Sequence, residues 1–281
     1  MKIGIIGSNG FLGKNLTLYL KKKKNQVKKF SSYSKFKKDW LTKVCKEIKK
    51  FSPDIIINCS AAQLLDEKKK SLEKLIYSNL YAQSCFVSEA KKTNNFIGFI
   101  TFGTRWEYDQ KGNYKPNNFY AATKHASDYL LKYFVDKKTT VVSLKIFDTY
   151  GVNDTRNKIL NLLLKSYKKK ITLNLSPGKQ EIDLVNVLDI SKLINKVIID
   201  IKKKKLKGFK KYTVSSKKPI KIIKLVEILK QNLKYELKVN VGVLKYRKNE
   251  TMKCLRKTFN YPGWKPRNSL GKDLKKIFDG N

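Results

Sequence analysis

Tyr120 and Lys124 stand four residues apart in Phe119-Tyr120-Ala121-Ala122-Thr123-Lys124, a stretch that keeps a helical pattern through Leu131. At that spacing both side chains leave one helix face, one turn apart. A phenol ordinarily titrates near ~10, and a neighbouring ammonium favours its ionised form. Such a pair can pass a proton near neutral pH. In a chain with 63 basic residues and 15 tyrosines the motif also arises by chance on an exposed helix. Its meaning therefore depends on the elements that position it.

The 281 residues, 41% of them hydrophobic, suffice for one large domain or a domain with a lobe. The net charge of +41 invites a nucleic-acid reading. Only five of the 63 basic residues are arginine, the pattern of an AT-biased genome writing lysine at tolerant surface positions. Solvated surface is the reading taken, with nucleic acid not expected as a partner and anionic metabolites favoured. Cys45, Cys59, Cys85 and Cys254 lack metal or redox spacing, so no metal is expected and a reducing cytosol is. The opening Met1–Gly7 is glycine-broken and too short for a signal peptide, and no apolar run reaches the ~18 residues of a membrane span. The lone His125 is read as a packed structural residue.

Lys2–Ile6 has a buried-strand pattern and runs through Gly7-Ser8-Asn9-Gly10-Phe11-Leu12-Gly13 into a helical stretch. Strand, glycine turn and helix in that order can offer helix N–H groups to a pyrophosphate. Val27–Phe30 reads as a second strand, followed by Ser31, Ser32 and Lys35 where an NAD enzyme usually carries an acid. Hydroxyls and a lysine suit a 2′-phosphate, so NADP is preferred to NAD; an ordinary polar loop would read the same. Ile55–Ala62 suits a central parallel strand, with small residues at its end that leave room for a cofactor. A helix from about Leu72 to Lys91 carries Asn79. Phe96–Thr101 and Val141–Phe147 continue the strand and helix alternation, and Thr104 lies in the loop between them. This rhythm predicts an α/β fold, a Rossmann-like doubly wound parallel sheet. Beyond Gly151 the rhythm breaks, and Tyr212–Ser215 reads as a return to the sheet. The expected division is 1–150 plus about 183–215 for the dinucleotide-binding part, and about 151–182 plus 216–281 for a small substrate lobe.

Assembled in order, GSNGFLG, PDIIINCSAA, the Thr104 loop, YAATK, FDTYG, EIDLVNVLD, YTVSS and YPGWKP resemble the extended short-chain dehydrogenase/reductases, the NAD(P)-dependent epimerase/dehydratase family acting on nucleotide sugars. Within it, FDTYGVND, LSPGKQEIDLV and Tyr246–Glu250 look most like CDP-abequose/paratose-type synthases, reductases of 4-keto-6-deoxy nucleotide sugars. The resemblance implies that Gly7 to Gly13 cradle the pyrophosphate and that Ser31, Ser32 and Lys35 lie near the adenosine ribose. It puts Asp39 and Trp40 near adenine and Ala61 in the cofactor pocket, and gives Asn79 as a structural asparagine beside the cofactor. Thr104, Tyr120 and Lys124 are the implied catalytic set, with Lys124 lowering the tyrosine pKa and holding the nicotinamide ribose. Trp106, Asp148 and Thr149 would meet the sugar, and Arg247 the substrate diphosphate, which a guanidinium binds well. Sugar dehydratases of this kind place an Asp-Glu pair directly after the catalytic threonine; Arg105 and Trp106 stand there instead. That favours a reductase, with a 4-epimerase holding NAD as the enzyme alternative and a non-catalytic basic binding protein as the other. A homodimer in the cytoplasm is the implied assembly.

Overall fold

The computed structural model describes residues 1–33, 37–233, 236–247, 250–267 and 270–279. Six runs rich in β-branched and aromatic residues form strands β1 (Lys2–Ile6), β2 (Gln26–Lys29), β3 (Ile55–Asn58), β4 (Gly98–Thr104), β5 (Thr140–Ile146) and β6 (Phe209–Val214). They make one parallel sheet in the order β6-β5-β4-β3-β1-β2. β3 and β4 are buried along their whole length, which is why they read as unbroken apolar runs rather than alternating ones.

Helices cover both faces. On one, α1 (Phe11–Lys22) and α7 (Val187–Lys202) pack Leu16, Leu20, Ile190 and Val197 against Ile3, Ile57 and Leu144. On the other, α2 (Trp40–Phe51), α4 (Ala82–Lys91) and α5 (Phe119–Lys132) contribute Trp40, Val44, Ile48, Phe86 and Leu131. A helix α3 (Lys69–Ile76) runs into α4 through a single π turn, Tyr77–Tyr81. After β1 the chain steps outward to β2, then returns to lay β3 on the other side of β1. That reversal opens a crevice at the carboxyl ends of β1 and β3, the place where such sheets bind ligands.

A second, smaller core holds the remaining elements. α6 (Ile159–Lys169), α8 (Ile222–Asn232) and α9 (Leu270–Asp279) gather Leu163, Leu225, Leu229 and Leu274 with Tyr150 and Leu175. Three short strand pairs brace it: Leu173–Leu175 with Val239–Val241, Glu181–Ile182 with Ile220–Lys221, and Asp148–Tyr150 with Leu184–Asn186. Tyr150 Oη and Asn186 Nδ2 both donate to Asp273 Oδ2, at 2.9 and 2.7 Å, fastening α9 to the sheet side.

Two elements differ from the sequence reading. β4 extends three residues further than expected, so Thr104 ends a strand rather than sitting in a loop. The reason is pairing: Thr104 lies opposite Ile146 of β5. The helix expected from Leu72 begins at Lys69, and its π turn carries Asn79.

Candidate active site

The glycine turn is shaped by contacts that leave no room for side chains. Gly7 has φ +73°, and a Cβ there would stand 2.5 Å from the Ser60 nitrogen. A Cβ on Gly13 would stand 2.3 Å from Gly7 O. The turn thus presses α1 against β1 and against the end of β3 together. Gly10 precedes α1 with no side-chain cap, and no acid occupies the first turn. The leading N–H groups of α1 therefore remain a site for negative charge. A dinucleotide pyrophosphate fits this cradle, which Gly7, Gly10 and Gly13 with the backbone of Ser8, Asn9, Phe11 and Leu12 would hold.

Asn118 starts α5 by accepting the Ala121 N–H at 2.8 Å, and that helix delivers Tyr120 and Lys124 to the crevice. Both residues, with Thr104, Ala61, Leu12 and Trp106, line one cavity of about 510 Å³. The Trp106 ring meets Tyr120 edge-on, with centroids 6.3 Å apart. Thr104 Oγ1 accepts the Trp106 N–H at 3.3 Å, so its own hydrogen is left to donate.

Behind these residues lies a buried ionic cluster. Glu107, wholly buried, takes the Thr104 N–H on Oε1 at 2.8 Å, and Lys145 Nζ and His125 Nδ1 on Oε2 at 2.6 and 3.2 Å. Lys145 also pairs with Asp128 at 2.7 Å. Burial pushes the Glu107 carboxyl up, but Lys145, His125 and the Thr104 N–H outweigh it and hold it below the usual range. Gly103 makes the cluster possible, since a Cβ there would stand 2.4 Å from both Glu107 Oε1 and Lys145 Cδ.

The protonation of the pair differs from the expectation. Burial, and after it the Glu107 carboxylate, pushes the Tyr120 phenol up rather than letting Lys124 bring it down. Lys124 is itself lowered to about 8, chiefly by burial, with Glu107 and Asp128 pulling the other way. The Tyr120 phenol therefore keeps its proton at neutral pH.

The cavity as a whole is electropositive: six cations (Arg105, Lys124, Arg156, Lys158, Lys245 and Arg247) line it against four carboxylates. Asp148 and Thr149 reach the cavity, but both are already engaged. Asp148 pairs with Arg105 at 3.1 Å, and Thr149 accepts Arg156 Nη2 on its hydroxyl at 2.8 Å and on its carbonyl at 2.9 Å. Arg156, which the sequence reading missed, also pairs with Asp154 at 2.7 Å and lies 4.3 Å from the centre of the Phe11 ring on the glycine turn. Its only sequence signal was its rarity, as one of five arginines.

Several expected cofactor contacts move elsewhere. Trp40 is 3% exposed; its indole N–H donates to Ser31 O at 2.9 Å, and its ring packs edge-on against Phe86. It belongs to the core, because α2 begins at this residue and turns it toward the sheet. Asn79 does not line the cavity. It brackets the Ala62 backbone, accepting its N–H at 3.0 Å and donating to its carbonyl at 3.1 Å, and it also donates to Thr123 Oγ1 at 3.1 Å. Thr123 in turn donates to Tyr120 O, so Asn79 holds the β3 loop to α5. The Ser31 N–H and hydroxyl both donate to Glu47 of α2, each at 2.8 Å, a carboxylate that the sequence reading did not place here. Ser32 is half-buried and Asp39 is exposed. Lys35, with Lys248 and Asn249 of the Arg247 segment, lies outside the described residues.

Comparison with known proteins agrees with this architecture. The model of the NAD dependent epimerase/dehydratase family matches residues 3–208. A CDP-abequose synthase of Yersinia pseudotuberculosis is 30% identical over 208 residues, covering 69% of this chain and 72% of the relative. Among solved structures, MoeE5 in complex with UDP-glucose and NAD superposes with a TM-score of 0.82 at 13% identity, over 99% of this chain and 98% of that one. RMD from Pseudomonas aeruginosa complexed with NADPH does so with 0.78 at 17%, over the same shares. At those identities the two structures speak for the fold alone. The chain belongs to the NAD dependent epimerase/dehydratase family and is an enzyme of the extended short-chain dehydrogenase/reductase type.

Proposed function

We propose that this enzyme reduces the C4 ketone of a CDP-linked 4-keto-6-deoxyhexose, with NADP(H) as cofactor and Thr104, Tyr120 and Lys124 as the catalytic set. The observation that carries the reading is the convergence of Thr104, Tyr120 and Lys124 on one cavity, with Arg105 and Trp106 where a dehydratase would carry its acid pair. Glu107 is the nearest carboxylate in sequence, but it is wholly buried and bound to Lys145, His125 and the Thr104 N–H. It cannot reach a substrate to eliminate water.

A reduced nicotinamide, when bound, supplies the hydride. The chain's residues do the rest. Tyr120, protonated at neutral pH, gives its proton to the C4 oxygen as charge develops there. The Thr104 hydroxyl donates to the same oxygen, so fixed donors meet the charge. Lys124 would hold the nicotinamide ribose, and Arg247 the substrate diphosphate. The excess of cations over carboxylates around the cavity supports an anionic substrate. The CDP assignment rests on likeness to the Yersinia synthase.

A second reading, a 4-epimerase that keeps NAD bound, is favoured by Glu47. A carboxylate at the end of β2 suits a ribose diol and repels a 2′-phosphate. Against it stands the lack of any acid from position 31 to 35. Stoichiometry separates the two, since the reductase consumes one NADPH per product and the epimerase none. The exposed Tyr129, Leu130 and Tyr133 of α5 and the following turn support a homodimer through that helix. Among the described residues no helix is long and apolar enough to cross a membrane, which is compatible with a cytoplasmic enzyme.

Tyr120→Phe tests the assignment. Turnover is expected to fall by about 10²–10⁴-fold, while NADPH binding, followed by fluorescence titration, stays intact. Near-normal turnover would end the proposal.

A further inference from the structure

Glu107 takes no part in the steps assigned to Thr104, Tyr120 and Lys124, yet it is a wholly buried carboxylate directly behind them. Burying a carboxylate is costly unless its charge is met. Two structural tasks fall to it, and neither needs a negative charge. The first is capping. Thr104 and Glu107 bracket the single turn Arg105–Glu107: the Trp106 N–H donates to Thr104 Oγ1, and the Thr104 N–H donates to Glu107 Oε1 at 2.8 Å. A neutral glutamine offers the same acceptor. The second task is to meet Lys145, whose side chain is also wholly buried. Asp128 already does so at 2.7 Å, so one lysine has two carboxylates, the other being Glu107 at 2.6 Å.

The second carboxylate stands beside the residues that do the chemistry. Tyr120, Lys124 and Asp128 follow one another at intervals of four on α5 and share a face. Lys145 bridges Asp128 of that face to Glu107, and Glu107 also meets His125, the residue after Lys124, at 3.2 Å. One oxygen of Glu107 is thus tied to the end of β4 and the other to α5. The groups that face Lys124 are Glu107 from the turn after β4, Lys145 from β5, Asp128 from α5 and Cys59 from the end of β3. Burial works against the Lys124 ammonium, and Lys145 opposes it too; Glu107 favours it most strongly, then Asp128 and Cys59. Burial pushes the Cys59 thiol up to about 12, so that group carries no charge in the neutral range.

We propose that Glu107 is a positioning residue for the cofactor: anchored to the Thr104 backbone, its charge keeps Lys124 the ammonium that meets the nicotinamide ribose. The proposal rests on the dinucleotide reading of the cavity and adds to it a residue that touches neither cofactor nor substrate.

The dissociation constant of NADPH, or of NADH if that binds more tightly, tests it when followed by fluorescence between pH ~7 and ~9.5. In the wild type it should be flat up to about 8, where Lys124 titrates, and rise beyond. Lys124→Arg, which keeps its proton, should lose that break. Glu107→Gln keeps an acceptor for Thr104 and leaves Lys145 with Asp128; it should move the break downward by about one pH unit. If that variant does not fold, the triple variant Glu107→Gln, Lys145→Met, Asp128→Asn replaces it, since buried ion clusters often tolerate neutral substitution. Lys145 and Asp128 then leave as a neutral pair, so the downward shift is again that of Glu107. A flat wild-type profile, a break that survives in Lys124→Arg, or an unmoved break in the Glu107 variant overturns the proposal. So does affinity weakened by one factor at every pH, the mark of a merely structural role. Because only cofactor binding is read, an enzyme that binds NADPH and reduces no ketone would sink the proposed reaction and leave this test standing.

Discussion

The two walls of the cavity are built from different materials. On the sheet side the wall is backbone, with Gly7 and Gly13 packed so closely that a single added carbon would collide with main-chain atoms. On the lobe side it is long polar side chains from separate stretches of chain, among them Asp148 with Arg105, Arg156 with Asp154, Gln180 and Arg247. A backbone cradle accepts one shape and suits a ligand common to a whole family. A wall of side chains can be rewritten one residue at a time, so the proposed choice of substrate is assigned to it. Asn79 braces the sheet side by clamping the Ala62 loop to the helix that bears Tyr120.

The contrast can be broken most severely at Gly7. Alanine there must adopt φ +73° and meet the Ser60 backbone. Strain of about 1–3 kcal/mol and overpacking of similar size should lower the urea midpoint and abolish cofactor binding. Wild-type stability with normal NADPH affinity would show that the sheet wall is not a steric cradle.

A middle-sized effect concerns Lys124, the buried cation on the sheet side of the cavity. Its ammonium is held at about 8 by burial. Below that value it is charged, and above it the charge is lost, so turnover should decline as pH rises. At pH ~9 the rate should be about tenfold below the plateau at pH ~7, with Tyr120 protonated throughout. In Lys124→Arg, whose guanidinium keeps its proton, that alkaline limb should vanish even if the plateau falls. The stability sign is opposite. The unfolded lysine binds its proton more tightly than the folded one, so this residue's contribution to stability rises with pH from about 8 toward its ordinary value.

The smallest change expected is at Glu47. Removing its charge in Glu47→Gln should lower the KM for NADPH by about two- to threefold, the scale of a half-exposed charge, and leave that for NADH unchanged. A rise in the KM for NADH instead would favour the NAD-holding epimerase.

Much of the sheet half could be read directly. Glycines in a strand-to-helix turn and apolar runs of strand length are local patterns, and the spacing of Tyr120 and Lys124 needs only helix geometry. Trp40 was misplaced because its position at the start of α2 is local but the direction it faces is not; Phe86 and the sheet decide that. Glu47 was missed because it lies 16 residues beyond the serine it holds. Lys145 was invisible for a similar reason. In a chain of 63 basic residues, nothing marks the one that is wholly buried between Glu107 and Asp128.

The order of strands, turns and helices, and with it the family, is written in the sequence, because hydrophobic period and glycine sterics act over a few residues. The charge states of the catalytic pair are not. They depend on how much water burial removes and on which ions stand nearby, and those ions come from β5 and from the turn after β4. Folding alone buried Tyr120 and brought Glu107 near it, and so keeps the phenol protonated where its spacing from Lys124 suggested a phenolate.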